Sequence, residues 1–417
     1  LQVNGETDFQ DGSITPGLGD PAGTLRLGGE SSEDFFPGDS FQFGGDLVFG
    51  KTLASGSPIV SLQGNVRVSG DVTVEHIDLA NARETALDLN DNDIFLRGNF
   101  TLQGTSAEEE INPGPNGEGR IVFEDAGEIK GSGGYSNVAV SVTETDGADV
   151  TVPSGETVTF YGTVELTKEG ITTTGTGNLQ PAAGGDPEVR RVVGGSGTDI
   201  GQNTDLGGNF NNDGNAYDLT YGQNGGSSTG SPTTTGNELT SNVANLTVEE
   251  GAGVNLSDNF TADGIVTVNG LLAPSSSEVL TIEGDGPHVV GGALTAEVKV
   301  DASDAVIQGF ATDASDPSGG DDALLGSLEV LADQSATVDG IKKINGSLIT
   351  NSGSSLTLGL APDGNLDNND QLTEPTQAVT GGFTHGSGGA ASLTLSVAAQ
   401  FVGDVTINDN ESSVALG

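Results

Sequence analysis

The sequence predicts an all-β chain folded as an elongated parallel β-solenoid with irregular loops. Three observations predict it. Apolar residues alternate with polar ones in short runs along most of the chain; Gly, Asn and Asp mark the breaks; and large aromatic side chains are scarce. Alternation at period two turns one side of each run inward and the other outward. The punctuating residues are those that accept turn backbone most readily. Tandem immunoglobulin-like β-sandwiches are the alternative architecture. Sandwiches favour a large aromatic anchor and longer strands, whereas this chain has no Trp and 4 Tyr.

The elements read in order as follows. Turn-rich text to residue 50 holds strands at 24–27 and 41–49. From Ile59 the alternation sharpens: Val66, Val68, Val72 and Val74 are set against Arg67, Thr73 and Glu75. One or two helical turns are expected at 80–86, then strands at 94–102, a polar loop at 106–119, and strands at 121–123, 138–142, 150–152, 158–160 and 164–166. Residues 1–171 therefore read as an N-terminal β-rich part. Residues 172–240, mostly Gly, Asn, Thr, Ser and Asp, read as an excursion or linker. Residues 241–417 read as a C-terminal β-rich part, opening with strands at 246–248, 254–256 and 265–268 and continuing at 279–282, 297–300, 305–307, 328–331, 348–350, 356–360, 393–397 and 405–407. The segment Asn245-Leu-Thr-Val-Glu-Glu-Gly-Ala-Gly-Val-Asn-Leu256 repeats the pattern of Asp149-Val-Thr-Val-Pro-Ser-Gly-Glu-Thr-Val-Thr-Phe160 at an offset of 96 residues. In the sandwich alternative that offset would be one domain length.

Charge excludes several function classes. Against 60 Asp and Glu stand 13 Lys and Arg, a formal net charge of −47. So few cations cannot build a nucleic-acid surface and are equally unsuited to anionic lipid. Self-repulsion on this scale needs salt, divalent cations or extension to relieve it. At about 1 M salt the screening length falls to roughly 3 Å, so a halophilic setting is expected. No apolar run approaches the roughly 18 residues of a membrane-spanning helix. Cys is absent, which removes disulfides and thiolate chemistry. Met is absent even at position 1, which predicts a mature product, extracellular or on the cell surface, whose leader has been removed.

Motifs for chemistry are few. His76, His288 and His385 stand apart and are expected to be ordinary surface or turn residues. The doublets Arg190-Arg191 and Lys342-Lys343 could supply the cations that a polysaccharide-active enzyme needs for an acidic sugar, or could equally be solvated turns, and no nucleophile elbow, metalloprotease motif or phosphate loop occurs. No enzyme is expected. Calcium is the one candidate cofactor. Asp363, Asn365, Asp367, Asn369, Gln371 and Glu374 occupy positions 1, 3, 5, 7, 9 and 12 of a twelve-residue loop, the spacing of an oxygen-ligated calcium site. Asn368 stands where Gly is usual, and no helices flank the loop. Residues 209–215 and 88–93 are weaker versions. Six N-x-S/T sequons, at Asn99, Asn245, Asn255, Asn259, Asn345 and Asn410, are about the number this composition gives by chance.

The stretches GNVRVSGDVTVE (64–75), ADVTVPSGETVTFYGTVEL (148–166), NFTADGIVTVNG (259–270) and GDVTINDN (403–410) resemble the passengers of secreted bacterial β-helix surface proteins, the autotransporter- and haemagglutinin-like adhesins. The resemblance implies the solenoid fold and a surface location, and it carries over no binding or catalytic residue. The functional expectation is a structural subunit that assembles head-to-tail with copies of itself into a filament, fibre or surface layer. Leu1, Val3, Val405, Ile407, Val414 and Leu416 would form the joining edges, since unpaired strand edges invite another chain. The alternative is an adhesin that binds a cell-surface glycan through projecting loops, chiefly 172–240.

Overall fold

The computed structural model describes the chain except residues 1, 4–6, 10–12, 15–22, 28–32, 38–41, 51–58, 76–86, 104–110, 132, 136, 141–149, 168–169, 194–205, 207–208, 212, 224–231, 310–323, 342, 360–376, 396–398, 402, 409–411 and 417. The expected helical turn at 80–86 lies outside the described residues. The chain forms two compact units, one of Leu1–Val192 with Ile200–Tyr217 and one of Val193–Asp199 with Asp218–Gly417.

Each unit is a parallel β-solenoid with three faces. Short strands follow one another around a coil, and most pair in parallel with the strand three places on. In the second unit one face runs Gly253–Leu256, Leu271–Pro274, Ala293–Leu294, Leu324–Leu325, Lys343–Ile344, Gln377–Val379 and Ala399–Phe401. The next runs Phe260–Ala262, Val279–Ile282, Glu297–Val300, Leu328–Val330, Leu348–Asn351, Phe383–Ser387 and Val405–Ile407. The third includes Val266–Val268, His288–Val290, Ala305–Gly309, Ser335–Asp339, Ser355–Gly359, Ser392–Leu395 and Ser413–Leu416. The first unit follows the same rule, with ladders such as Thr24–Leu27, Asp46–Gly50, Val72–Glu75 and Phe100–Gln103. Immunoglobulin-like sandwiches pair their strands antiparallel, so this all-parallel pairing removes the alternative architecture and its domain-length explanation of the 96-residue offset.

Period-two alternation creates the core. Inward residues at equivalent positions stack coil on coil, as in Leu25, Leu47, Val72, Phe100 and Ile129 of the first unit, all buried. Phe260, Leu280, Val298, Leu328, Leu348 and Phe383 do the same in the second. Each such side chain contributes roughly 1.5–3 kcal/mol of burial free energy, with its neighbours supplied mainly by the coils on either side. The stretch 172–240 contributes strands too, at Asn178–Pro181, Glu188–Val192, Tyr217–Gly222 and Thr233–Thr234.

Two turn devices permit this stacking. The first is a column of glycines where the coils approach most closely. A Cβ added to Gly70 would lie 2.6 Å from the Gly45 carbonyl oxygen, and one added to Gly98 would lie 2.6 Å from that of Gly70; Gly45 and Gly127 meet the coil beneath them in the same way. The second is a set of side-chain caps just before the strands. Asp46 Oδ1 accepts from the Asp71 N–H at 3.0 Å, Asp71 Oδ1 from Asn99 N–H at 2.8 Å, and Asn99 Oδ1 from Glu128 N–H at 2.9 Å. Elsewhere Asn65 caps Asp93, Asn137 caps Thr163, Asn245 caps Ile265 and Asn259 caps Val279. Asn and Asp are favoured here because a short side-chain oxygen reaches a backbone N–H at a turn.

The glycine column predicts a position-dependent cost. Gly98→Ala should destabilise the fold by about 1–3 kcal/mol through overpacking, whereas Gly184→Ala, where an added Cβ meets nothing within 4 Å, should change stability by no more than about 0.5 kcal/mol. Chemical denaturation of both variants checks this; equal losses would contradict the close-approach account.

Candidate assembly edge and charged groove

On the last described coil of the second unit, inward positions hold exposed apolar residues. Val405 continues the ladder of Phe383 and Leu348, yet 54% of its surface is exposed. Ile407 continues the ladder of His385 and Thr350 and is 57% exposed; Val414 continues that of Leu393 and Leu356 and is 47% exposed. The equivalent residues in the preceding coils are buried. These three predicted assembly residues therefore occupy core positions that face solvent. Of the others, Val3 lies on strand Gln2–Val3 and pairs with Leu27, and Leu416 lies on strand Ser413–Leu416 and pairs with Leu395. Leu1 lies outside the described residues.

Charged chemistry gathers on one face of the first unit. A groove of about 490 Å³ is lined by Asn65, Asp91, Asp93, Gly117, Glu118, Arg120, Asn137, Thr163, Glu165, Glu188 and Arg190. Most of these belong to successive coils. Asn65, Asp93, Arg120, Asn137, Thr163 and Glu188 each stand at or just before the start of the strands whose inward residues Val66, Ile94, Ile121, Val138, Val164 and Val189 are stacked in register. Glu165 and Arg190 are paired neighbours on the outer surface of the same sheet. Arg120 donates through Nε and Nη2 to Asp93 at 3.3 and 3.0 Å, and its Nη1 lies 3.6 Å from Glu165. Arg190 Nε lies 3.7 Å from the same Glu165. The Arg120 guanidinium is held above its ordinary pKa, chiefly by its hydrogen bond to Asp93, against the opposing effect of burial. Asn137 is buried and fixes the opposite wall, donating through Nδ2 to the Gly117 and Gly119 carbonyls while its Oδ1 accepts from Thr163 N–H. Thr163 Oγ1 donates to Glu188 at 3.1 Å. Beside the groove, Arg67 lies 4.3 Å over the Phe95 ring and bonds Glu124.

Several expectations about single residues change. His288 and His385 are fully buried, not surface or turn residues; His76 lies outside the described residues. His288 Nδ1 accepts from Val266 N–H at 3.2 Å, and Nε2 donates to the Gly284 carbonyl at 2.9 Å, which fixes a neutral tautomer. His385 sits between Thr350 Oγ1 at 2.7 Å and the Ser413 carbonyl at 3.2 Å. Arg191 is buried and Arg190 lies on a strand, so that doublet is not a solvated turn. Lys343 lies on strand Lys343–Ile344; Lys342 is outside the described residues.

The calcium ligands Asp363, Asn365, Asp367, Asn369, Gln371 and Glu374 all lie outside the described residues. Among those described, no group of three or more His, Asp or Glu is placed to hold a metal ion. In the weaker Asn- and Asp-rich candidates the side chains hydrogen-bond the turns. Asp88 Oδ1 accepts from Asn90 N–H and Asp91 accepts from Asn116 N–H, while Asn211 and Asn215 bond each other across their own turn. No helix of the described residues is long and apolar enough to cross a membrane. No protein-family model, curated protein or solved structure matches the chain.

Burial holds the His288 pKa below its ordinary value, with smaller opposing effects from the Gly284 carbonyl and Asp285. The unfolded chain therefore takes up the proton more readily. The stability this group contributes is present above an unfolded pKa of about 6.5 and is lost as pH falls through that value toward the depressed folded one. Between pH 7 and 5 the wild-type melting temperature should fall more steeply than that of His288→Gln. Parallel slopes would contradict it.

Proposed function

We propose that the protein is a non-enzymatic structural subunit, exported to the cell exterior, that assembles head-to-tail with copies of itself. The observation that carries this reading is the exposure of Val405, Ile407 and Val414 at positions whose equivalents in the preceding coils form the core. An additional coil laid in parallel register over them would bury that apolar surface and pair the exposed backbone edge of the last strands. A contact of this kind uses two different surfaces and propagates instead of closing. A second copy of the chain is the partner we assign to it. The resemblance to secreted β-helix surface proteins and the acidic composition support an external location.

The charge sets the conditions. Two copies that each carry −47 repel at low ionic strength, and salt near 1 M shortens the range of that repulsion to roughly 3 Å. Association should therefore strengthen as salt rises.

Introducing charge at the open edge tests the proposal. The double variant Ile407→Asp and Val414→Asp should keep the wild-type melting temperature to within a few degrees, because both positions are already exposed. Sedimentation in high salt should show polymers for wild type and single subunits for the variant. Equal polymerisation of the two would overturn the assignment of this edge.

A further inference from the structure

The groove of the first unit has a chemistry that coil stacking alone does not require. Inward Val and Ile residues and the turn caps hold the coils together; the groove adds guanidinium–carboxylate pairs on the outer surface. We propose that it is a binding site for an uncharged oligosaccharide or similar polyhydroxylated chain, a role separate from assembly at the open edge.

Four features of the lining select that ligand class. First, the walls are polar throughout, with no aliphatic or aromatic side chain among the lining residues, so an apolar small molecule has nothing to pack against. Second, donors and acceptors are set side by side: Arg120 with Asp93 and Glu165, Arg190 with Glu165, and Thr163 with Glu188. A sugar hydroxyl both donates and accepts, so adjacent hydroxyls can bridge such a pair, taking a hydrogen bond from the guanidinium and giving one to the carboxylate. Third, Asp91, Asp93, Glu118, Glu165 and Glu188 outweigh Arg120 and Arg190 in charge, which disfavours phosphate, sulfate and uronate ligands through like-charge repulsion. A bare cation would have to displace guanidinium groups already bonded to Asp93 and Glu165. Fourth, the site is built before any ligand arrives. Asn137 is buried and ties the Gly117–Gly119 wall to Thr163 on the neighbouring strand, and Asp91 holds the backbone of Asn116 and Glu118. Side chains fixed in this way lose little freedom on binding.

The groove also crosses several coils. Its lining recurs at the strand spacing of about 4.8 Å, so it suits an extended chain better than a single compact ring. Residues from Asn65 to Arg190 contribute to it.

The test uses the full-length protein on an array of neutral, acidic and amino-bearing oligosaccharides in high salt, alongside Arg120→Gln and Glu188→Gln. Retention of one or more neutral oligosaccharides is expected, with at least a tenfold loss of affinity in each variant. Melting temperatures of the variants confirm folding, and a variant that fails to fold is replaced by Thr163→Val, expected to weaken binding in the same direction. Retention of acidic or amino-bearing sugars alone, retention unaffected by the variants, or no retention of any neutral oligosaccharide would each overturn the proposal. The Ile407→Asp, Val414→Asp variant should bind the array as wild type does, which separates a failure of this site from a failure of assembly.

Discussion

Everything in each unit depends on laying one coil over the next at backbone hydrogen-bonding distance. A parallel ladder satisfies the strand N–H and C=O groups only between coils, and the apolar stacks acquire most of their neighbours in the same direction. The constraint therefore governs the turns as strongly as the strands. At the tightest corners the backbone of one coil comes against that of the next. Gly45, Gly70, Gly98 and Gly127 occupy such a corner because any side chain would meet a carbonyl oxygen. The N–H groups that precede the strands are met by Asp46, Asp71, Asn99, Asn65 and Asn137. Glycine at these corners, and Asn or Asp before these strands, thus follow from the stacking geometry.

That geometry also accounts for what was legible in the sequence. Strands are visible because period-two alternation is local: those expected at 279–282 and 297–300 coincide with Val279–Ile282 and Glu297–Val300. The all-β parallel fold followed from their shortness and their turn residues. Coil length was not legible, because turns of different length can join the same faces. Val254 stands beneath Leu272, whereas Ile344 stands beneath Val379. The stretch 172–240 has little apolar alternation, yet Leu179 stacks on Val158 and Tyr217 packs edge-on against Phe210 at 5.2 Å. The burial of His288 and His385 was hidden for a related reason, since each occupies an inward slot and takes at least one hydrogen-bond partner, Val266 N–H or Thr350 Oγ1, from a neighbouring coil.

The charged groove could not have been read as a motif. Its residues are spread from Asn65 to Arg190, and only the register of the coils gathers them. One signal was nevertheless available. An Asn or Asp immediately before an apolar strand recurs at Asn65-Val66, Asp71-Val72, Asp93-Ile94, Asn99-Phe100 and Asn137-Val138. Of these, Asn65-Val66, Asp93-Ile94 and Asn137-Val138 fall on one face, the face that also carries Arg120, Thr163 and Glu188, whereas Asp71-Val72 and Asn99-Phe100 fall on another. Charge is also shared across coils elsewhere. Gly50 leaves room for Arg26 to reach Glu75, whose carboxyl is held below the usual range chiefly by that hydrogen bond.

We propose that coil stacking, having built each unit, continues between molecules at the open edge. Fibre diffraction from the purified protein, concentrated in high salt, tests it most directly. The account predicts ordered filaments with a reflection near 4.8 Å along the filament axis, arising from strands that lie across it. Particles that stay separate at every salt concentration, or filaments whose 4.8 Å reflection lies across the axis, would contradict it.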